Sequence, residues 1–217
     1  GSQGIGRACA EALAEEGVNL VIVARNTERL AIASSEISSN QSGRVIPIAA
    51  DLTVANEVER VFEEAENALG QIDIFVNNAG SAPLGLIGDL GDDVWQSCFD
   101  LKLMGYVRFS RAVMRGMRVR KWGRIINISS REAFRGETQD FIPYAASKGG
   151  LISLTKTIAK SFGKNGVLSF SIAPGFVKTE MAEDFIKKYS FDHAMEGIVL
   201  NRLTEPSDVA PIVSFIA

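Results

Sequence analysis

Two side chains that can exchange a proton, those of Tyr144 and Lys148, lie four residues apart in this chain. Because four residues make about one helical turn, the phenol and the ammonium emerge on the same face of a helix. An unperturbed tyrosine, with a pKa of about 10, is a poor acid or base at neutral pH. A neighbouring cation favours the phenolate and brings that pKa toward the range where general acid–base catalysis is effective. The pair therefore predicts a proton-transfer site, although by itself it is a weak motif.

An isoleucine-rich run precedes this pair and ends in two serines, Ser129 and Ser130. Residues 123–130 are typical of a buried parallel strand that delivers hydroxyl groups at its carboxyl end. Ligands of open α/β sheets bind at that end of the strands. A serine placed there, opposite a helix-borne tyrosine and lysine, predicts proton transfer to a carbonyl or from an alcohol.

A glycine-rich turn opens the chain and leads into an amphipathic helix that we expect to stop at Gly17. The turn, around Gly4 and Gly6, lets backbone N–H groups and the positive helix end hold a pyrophosphate. A simple tight turn explains these glycines equally well. The strand predicted at 19–24 completes a βαβ half-site and favours the nucleotide interpretation.

The rest of the chain alternates strands with helices. We predict strands at 44–50, 72–77 and 167–172 and helices at 28–39, 92–117 and 144–162. This alternation predicts one doubly wound α/β domain over residues 1–217, a three-layer Rossmann-like fold with a parallel sheet. The expected inner face of the long helix consists of Trp95, Phe99, Leu103, Val107 and Val113.

Composition narrows the possible functions. The 217 residues are 46% hydrophobic and 23% charged, values typical of a globular domain. A net charge of −3 disfavours nucleic acid as a partner. No apolar run approaches the ~20 residues of a membrane span. Cys9 and Cys98 fall in predicted helices as core thiols, and with no visible signal peptide they suggest the cytoplasm. A single histidine, His193, disfavours a metal site and is expected on the surface.

Five stretches, in order, resemble the short-chain dehydrogenase/reductase family, and the resemblance covers residues 1–217. It implies that Ser130 hydrogen-bonds the substrate oxygen, Tyr144 is the general acid/base, and Lys148 supports Tyr144 and binds the nicotinamide ribose. Thirteen residues separate Ser130 from Tyr144, one more than usual, so Ser129 is the alternative serine. The matching stretches are Gly1-Ser2-Gln3-Gly4-Ile5-Gly6, Asp51-Leu52-Thr53, Asn77-Asn78-Ala79-Gly80, the Ser130/Tyr144/Lys148 set and Pro174-Gly175.

The same resemblance implies a dinucleotide cofactor. Relatives that prefer NAD usually carry an aspartate where this chain has Ala24, whereas Arg25 offers a planar cation suited to a 2′-phosphate. NADP is therefore predicted over NAD, with a solvated surface charge as the alternative for Arg25. The implied cofactor-binding residues are Ser2, Gln3, Gly4, Ile5, Gly6, Arg25, Asp51, Leu52, Asn78, Ala79, Gly80, Tyr144, Lys148, Pro174, Gly175, Val177 and Thr179.

Individual roles follow from the family for some of these residues. Asp51 would recognise the adenine, or cap the following helix, or do both. A backbone N–H near Val177 would bind the nicotinamide carboxamide, and the Thr179 hydroxyl the carboxamide or the pyrophosphate. Residues 180–200 correspond to the mobile lid over the substrate.

Lys102 is the clearest departure from the family and completes the candidate catalytic set of Ser130, Tyr144 and Lys148. Counted from Trp95, it takes the place of an asparagine whose amide holds a water that links the active-site lysine to solvent. A lysine can donate protons but has no carbonyl with which to accept them. Pointing inward, its charge would perturb Tyr144 or Lys148; pointing outward, it has no role. The ungapped spacing favours the inward geometry.

The predicted function is NADP(H)-dependent oxidoreduction of a carbonyl/alcohol pair. A non-catalytic dinucleotide-binding scaffold or sensor, and a dehydratase or epimerase on the same fold, are the alternatives.

Residues 131–135 are more charged than expected beside a nonpolar substrate. The resemblance also implies a homo-oligomer. Family members carry one strand before Gly1 and another after the last helix, so we expect the first and last strands to be missing here.

Overall fold

A computed structural model describes residues 1–39, 43–80, 84–136 and 138–217. It contains two compact units, one of Gly1–Pro47 with Pro174–Phe215 and the other of Ile48–Ala173 with Ile216–Ala217. The organisation as one domain over 1–217 stays a prediction. No helix within the described ranges is long and apolar enough to cross a membrane.

Helices and strands alternate through the described residues. Their order is α1 (Gly4–Glu15), β1 (Leu20–Ala24), α2 (Thr27–Ser38), β2 (Val45–Ala49), α3 (Ala55–Leu69), β3 (Ile74–Asn77), α4 (Asp92–Phe99), a π-helical turn (Asp100–Met104), α5 (Gly105–Arg120), β4 (Gly123–Ile128), α6 (Glu132–Arg135), α7 (Ile142–Phe162), a 3₁₀ turn (Gly163–Asn165), β5 (Val167–Ile172), α8 (Glu180–Lys188), α9 (Phe191–Met195) and α10 (Pro206–Ile216).

In the glycine-rich turn of the first unit, position 4 requires a glycine. Gly4 has φ +54°, and a Cβ there would lie 3.2 Å from Thr179 Cγ2, so a side chain would be strained and crowded. The helix that follows ends where the sequence predicts. The Gly17 N–H donates to the Ala14 carbonyl at 2.9 Å, and Gly17 takes φ 78°, the left-handed conformation of a helix C-cap.

Parallel pairing sets the position of the candidate site in the second unit. β4 pairs in parallel with β3 on one side and with β5 on the other. The carboxyl ends of these strands therefore meet at one edge of the sheet, and Ser129 and Ser130 follow β4 there. Together with the alternating helices, this pairing confirms the predicted Rossmann-like α/β class.

A buried cluster holds α5 and α7 against this sheet. Met117, Ile125 and Val167 are fully buried, and Val113 and Ile158 complete the cluster. Pro143 in the first turn of α7 suits a helix start, because its missing N–H would have no intrahelical partner there. The core thus fixes the helix that carries Tyr144 and Lys148.

The predicted inner face of the long helix is only partly buried. Only Val113 is buried, and Trp95, Phe99, Leu103 and Val107 are half-buried. The prediction stepped by four and placed only apolar residues inside, whereas the real face includes a lysine and passes through the π-helical turn. The buried residues of this face include Cys98, Lys102, Tyr106, Phe109, Val113 and Met117.

Candidate active site

α7 positions the pair from which the sequence argument starts. Tyr144 is half-buried and Lys148 is buried. Lys148 Nζ lies 5.7 Å from the centroid of the Tyr144 ring and donates to the Ile128 carbonyl at 2.6 Å. The one-turn spacing therefore places both groups together at the carboxyl end of β4.

Electrostatics make Lys148 a group that can gain and lose a proton near neutrality. Burial, followed by the charge of Lys102, lowers the pKa of Lys148 to about 7, while Cys98 and Glu132 oppose the shift. A lysine with an ordinary pKa would remain an ammonium at this pH. Lys148 is instead divided between its charged and neutral forms.

Lys102 points inward, as its spacing favoured. It is 0% exposed, and its Nζ lies 4.5 Å from the centroid of the Tyr144 ring. The same nitrogen donates to Cys98 Sγ at 3.5 Å. Burial lowers the pKa of Lys102 to about 8, and Cys98 acts in the opposite direction. Lys102 is therefore enclosed, contacts the Tyr144 ring and lowers the pKa of Lys148.

The two serines after β4 have different partners. The Ser129 hydroxyl donates to the Lys148 backbone carbonyl at 3.1 Å and so joins β4 to α7. The Ser130 hydroxyl donates to the Glu132 carboxylate. Because the Ser129 hydroxyl is used in the hydrogen bond that joins β4 to α7, Ser130 remains the better candidate for binding a substrate oxygen.

Glu132 is a charged group of the site that the sequence analysis did not assign. Only 9% of the residue is exposed, and its carboxylate lies 2.9 Å from Arg131 Nε. Its negative charge raises the pKa of Lys148. The high charge of residues 131–135 was the available signal, but it did not show which side chain turns inward.

Tyr106 is a second residue that sequence reasoning missed. Its hydroxyl donates to the Ala79 carbonyl at 2.8 Å, and Lys148 Nζ lies 5.7 Å from its ring centroid. Burial raises the pKa of Tyr106 far above its usual value, so the phenol stays protonated. A signal was present, because Tyr106 follows Lys102 by four residues, the spacing of one helix face.

The Asn77–Gly80 turn rests on a chain of buried amides. Asn77 Nδ2 donates to Asn127 Oδ1 at 2.7 Å, and Asn127 Nδ2 donates to Thr155 Oγ1 at 2.9 Å. Asn78 and Ala79 are half-buried, and a Cβ on Gly80 would lie 3.9 Å from Lys102 Cε. The turn therefore lies beside the Lys102–Tyr144 contact.

Asp51 and Leu52 follow strand β2, and one alternative for Asp51 is wrong. α3 begins at Ala55 with Val54 as its N-cap, so Asp51 does not cap that helix. Its Oδ1 instead accepts from the Thr53 N–H at 3.0 Å and the Thr53 hydroxyl at 2.8 Å, which fixes a local turn. Leu52 is half-buried.

The first unit contains the other predicted cofactor residues. Ser2, Ile5 and Gly6 are half-buried, and Arg25 is exposed. No side chain caps the N-terminus of α1 in this part of the described chain. The N-terminal amides of this 12-residue helix thus fit a phosphate, which is the group that such termini bind.

The Gln3 side chain forms hydrogen bonds with two other residues of the first unit. Its Nε2 donates to Glu180 at 2.6 Å, and its Oε1 accepts from Arg29 at 2.9 Å. The Arg29 guanidinium also lies 3.6 Å from the Glu180 carboxylate. Gln3 therefore links the glycine-rich turn to the start of α8 inside the first unit.

Two residues of the Pro174–Thr179 loop, Val177 and Thr179, are held by interactions with neighbouring backbone. Val177 is buried and pairs with Thr204 in an isolated parallel bridge. Thr179 Oγ1 accepts from the Ala182 N–H at 3.3 Å and so caps α8. Pro174 is half-buried and Gly175 is exposed. The carboxamide-binding roles of Val177 and Thr179 stay predictions.

His193 is more enclosed than the sequence suggested. Its ring stacks on Phe185 and Tyr189, with centroid distances of 5.7 and 5.4 Å, and its side chain is 34% exposed. His193 is thus a partly exposed side chain that packs on Phe185 of α8 and on Tyr189, which directly follows α8. Across the described ranges, no group of three or more His, Cys, Asp and Glu residues could hold a metal ion.

Comparisons with known proteins identify the family of this chain. Residues 1–190 match the family described as short chain dehydrogenase. The chain belongs to the short-chain dehydrogenase family.

Relatives extend along nearly the whole chain. The 3-oxoacyl-[acyl-carrier-protein] reductase FabG of Aquifex aeolicus is 33% identical over 99% of this chain and 86% of its own length. Carbonyl reductase family member 4 of Xenopus laevis is 32% identical over 100% of this chain and 87% of its own. L-sorbose reductase from Gluconobacter frateurii, solved with NADPH and L-sorbose, has a TM-score of 0.90 and 31% identity, and the match covers 99% of this chain and 85% of that one.

Proposed function

We propose that this chain is an NADP(H)-dependent oxidoreductase that interconverts a carbonyl and an alcohol. The observation that carries the proposal is the half-buried Tyr144, whose ring lies 4.5 Å from Lys102 Nζ and 5.7 Å from Lys148 Nζ. Positive charge on either lysine would stabilise the phenolate that remains after Tyr144 has given up its proton. Family membership and the reductase names of the relatives support the same reaction.

Three side chains of the second unit, those of Tyr144, Ser130 and Lys148, have distinct roles in the proposed reaction. Bound NADPH supplies a hydride for the carbonyl carbon. The Tyr144 hydroxyl protonates the carbonyl oxygen, while the Ser130 hydroxyl turns from Glu132 and donates a hydrogen bond to that oxygen. Lys148, whose pKa is about 7, can then return a proton to Tyr144 at neutral pH.

The first unit contains groups suited to the phosphates of NADP. The uncapped N-terminus of α1 and the positive φ of Gly4 suit a close approach of the pyrophosphate. Exposed Arg25 follows β1, next to Ala24, and its guanidinium suits the 2′-phosphate. NAD lacks that phosphate, so Arg25 is our candidate for the preference.

We expect Arg25→Ala to weaken NADPH binding by about 1.5–3 kcal/mol, or about 10- to 150-fold, and to leave NADH binding nearly unchanged. The lost interaction is a charge-assisted hydrogen bond to a group that only NADPH carries. Fluorescence titration with both cofactors measures the difference. Arg111→Ala, at an exposed position of α5, is the matched control. Equal losses for both cofactors would show that Arg25 does not read the 2′-phosphate.

We expect Lys102→Met to move the alkaline limb of the pH–rate profile for reduction toward higher pH. The Lys102 charge lowers the pKa of Lys148, so its removal keeps Lys148 protonated to higher pH. It also takes away a cation that would stabilise the Tyr144 phenolate, the form that is inactive as an acid. The shift should exceed the ~0.5 kcal/mol, about 0.4 of a pH unit, expected of surface changes.

Lys102→Asn should move the limb in the same direction, because it also removes the charge. Lys156→Met, at an exposed position of α7, is the matched control and should leave the profile in place. An unchanged limb in both Lys102 variants would mean that this buried cation does not act on Tyr144.

A carbonyl panel with NADPH tests the proposed function itself. Ketones, aldehydes and 3-oxoacyl thioesters are mixed with the protein, and NADPH consumption and alcohol formation are followed together. Binding of NADPH without turnover of any substrate would favour the scaffold alternative. Substrate conversion without net NADPH consumption would favour dehydration or epimerisation.

A homo-oligomer is proposed from the family resemblance alone, and analytical ultracentrifugation tests it.

A further inference from the structure

We propose that Cys98 and Lys102 form an oxidation-sensitive pair that closes into a covalent sulfur–nitrogen bond. The pair lies where α4 passes into the π-helical turn, on the buried face of this helix. Neither the family resemblance nor the proposed reaction assigns a role to Cys98. The inference does not rest on the proposed function.

Geometry brings the two reacting atoms together. Lys102 Nζ lies 3.5 Å from Cys98 Sγ, and Cys98 is 2% exposed and Lys102 0% exposed. Helical side chains lean toward the N-terminus, so the lysine folds back over the residue four positions before it. The π-helical turn begins between them, at Asp100, and widens the helix there. Both groups are therefore held in contact and are shielded from solvent.

The chemistry needs a peroxide as the oxidant and is balanced in two steps. The Cys98 thiolate attacks the O–O bond of hydrogen peroxide, which gives a sulfenic acid and hydroxide, released as water. The neutral amine of Lys102 then attacks the sulfur, and the hydroxyl leaves as a second water molecule. Sulfur loses two electrons, the peroxide is reduced, and the protein loses two hydrogen atoms. A thiol reductant reverses the bond by attack on the sulfur.

The site favours this second step over further oxidation. Because burial lowers the pKa of Lys102 to about 8, part of its amine is neutral and nucleophilic at neutral pH. The amine already touches the sulfur, so ring closure is intramolecular and needs no diffusion. Cys9 serves as an internal control, because burial raises the pKa of its thiol to about 11.

Bond formation would remove a positive charge from beside Tyr144. The nitrogen of a sulfur–nitrogen bond is not basic, so the ammonium 4.5 Å from the Tyr144 ring centroid would be lost. The pKa of Lys148 would rise, since the Lys102 charge is one cause of its depression. The oxidation state of Cys98 would thereby change the charge beside Tyr144 and the pKa of Lys148.

Treatment with hydrogen peroxide, followed by intact-mass measurement and peptide mapping, tests the proposal. We expect the whole chain to lose two hydrogen atoms, to yield a cross-linked Cys98–Lys102 peptide, and to recover its mass with dithiothreitol. Cys9→Ser should behave as wild type, whereas Cys98→Ser should show no cross-link. Lys102→Arg keeps a cation at the site but cannot become a neutral nucleophile, so it should instead accumulate oxygen on Cys98.

The proposal is overturned if Cys98 of the wild type gains only oxygen atoms, or if it does not react with peroxide. It is also overturned if Lys102→Arg loses two hydrogen atoms as the wild type does. Lys102→Met serves as a second variant, and circular dichroism of each variant confirms that the fold is retained before oxidation.

Discussion

Tyr144→Phe is expected to lower kcat/KM for carbonyl reduction by about 10²–10⁴-fold, the range attributed to a positioned general acid. The substitution keeps the ring against Lys102 and Lys148 and removes only the hydroxyl that carries the proton. NADPH binding should therefore change by less than about tenfold, since one hydrogen bond contributes ~0.5–1.5 kcal/mol. Steady-state kinetics and a separate cofactor titration distinguish the two effects.

Tyr106→Phe is the matched control for that experiment. Its hydroxyl binds the Ala79 carbonyl and its pKa is raised by burial, so it holds a turn and does not transfer a proton. We expect it to lose some stability and to keep turnover within about tenfold. Retained turnover in Tyr144→Phe would identify another residue as the acid.

Lys148→Ala is expected to lower turnover and NADPH affinity together. The substitution removes the donor to the Ile128 carbonyl and the ammonium that can return a proton to Tyr144. It also removes the group that the family resemblance assigns to the nicotinamide ribose. We expect kcat to fall by at least about 10², as for loss of a proton-transfer group, and the Kd for NADPH to rise.

A folding control is needed because the Ile128 carbonyl would lose its donor. A buried acceptor left without a partner costs about 1–3 kcal/mol of stability, so thermal unfolding should accompany the kinetics. Lys156→Ala, on the exposed side of the same helix, should leave all three measurements unchanged. Normal NADPH affinity in Lys148→Ala would contradict the assignment of Lys148 to the cofactor.

The sequence predicted the parts of the site that depend on local periodicity. Tyr144 and Lys148 share a face because they lie one helical turn apart, and Ser130 follows a strand whose buried character is plain from its isoleucines. The inward position of Lys102 followed from its count along the helix. Strand β5 has the predicted bounds, Val167–Ile172, because a short apolar run between turns leaves few alternatives.

The sequence did not predict the features that depend on tertiary packing. Glu132 turns toward Ser130 because of how the short helix α6 lies, and no periodicity reports that orientation. The buried face of the long helix was predicted incompletely, because the π-helical turn changes its spacing and because a lysine occupies a core position. Likewise, the hydrogen bond from Tyr106 joins residues that are 27 positions apart.

The origin of the hydrogen in the product tests the central claim most directly. The protein is given NADPH with deuterium at the transferable position of nicotinamide C4, together with the best carbonyl substrate of the panel. If the chain transfers a hydride to the carbonyl carbon, the alcohol product should carry one deuterium on that carbon for each NADPH oxidised. Product without carbon-bound deuterium, or product formed while NADPH stays intact, would contradict the account.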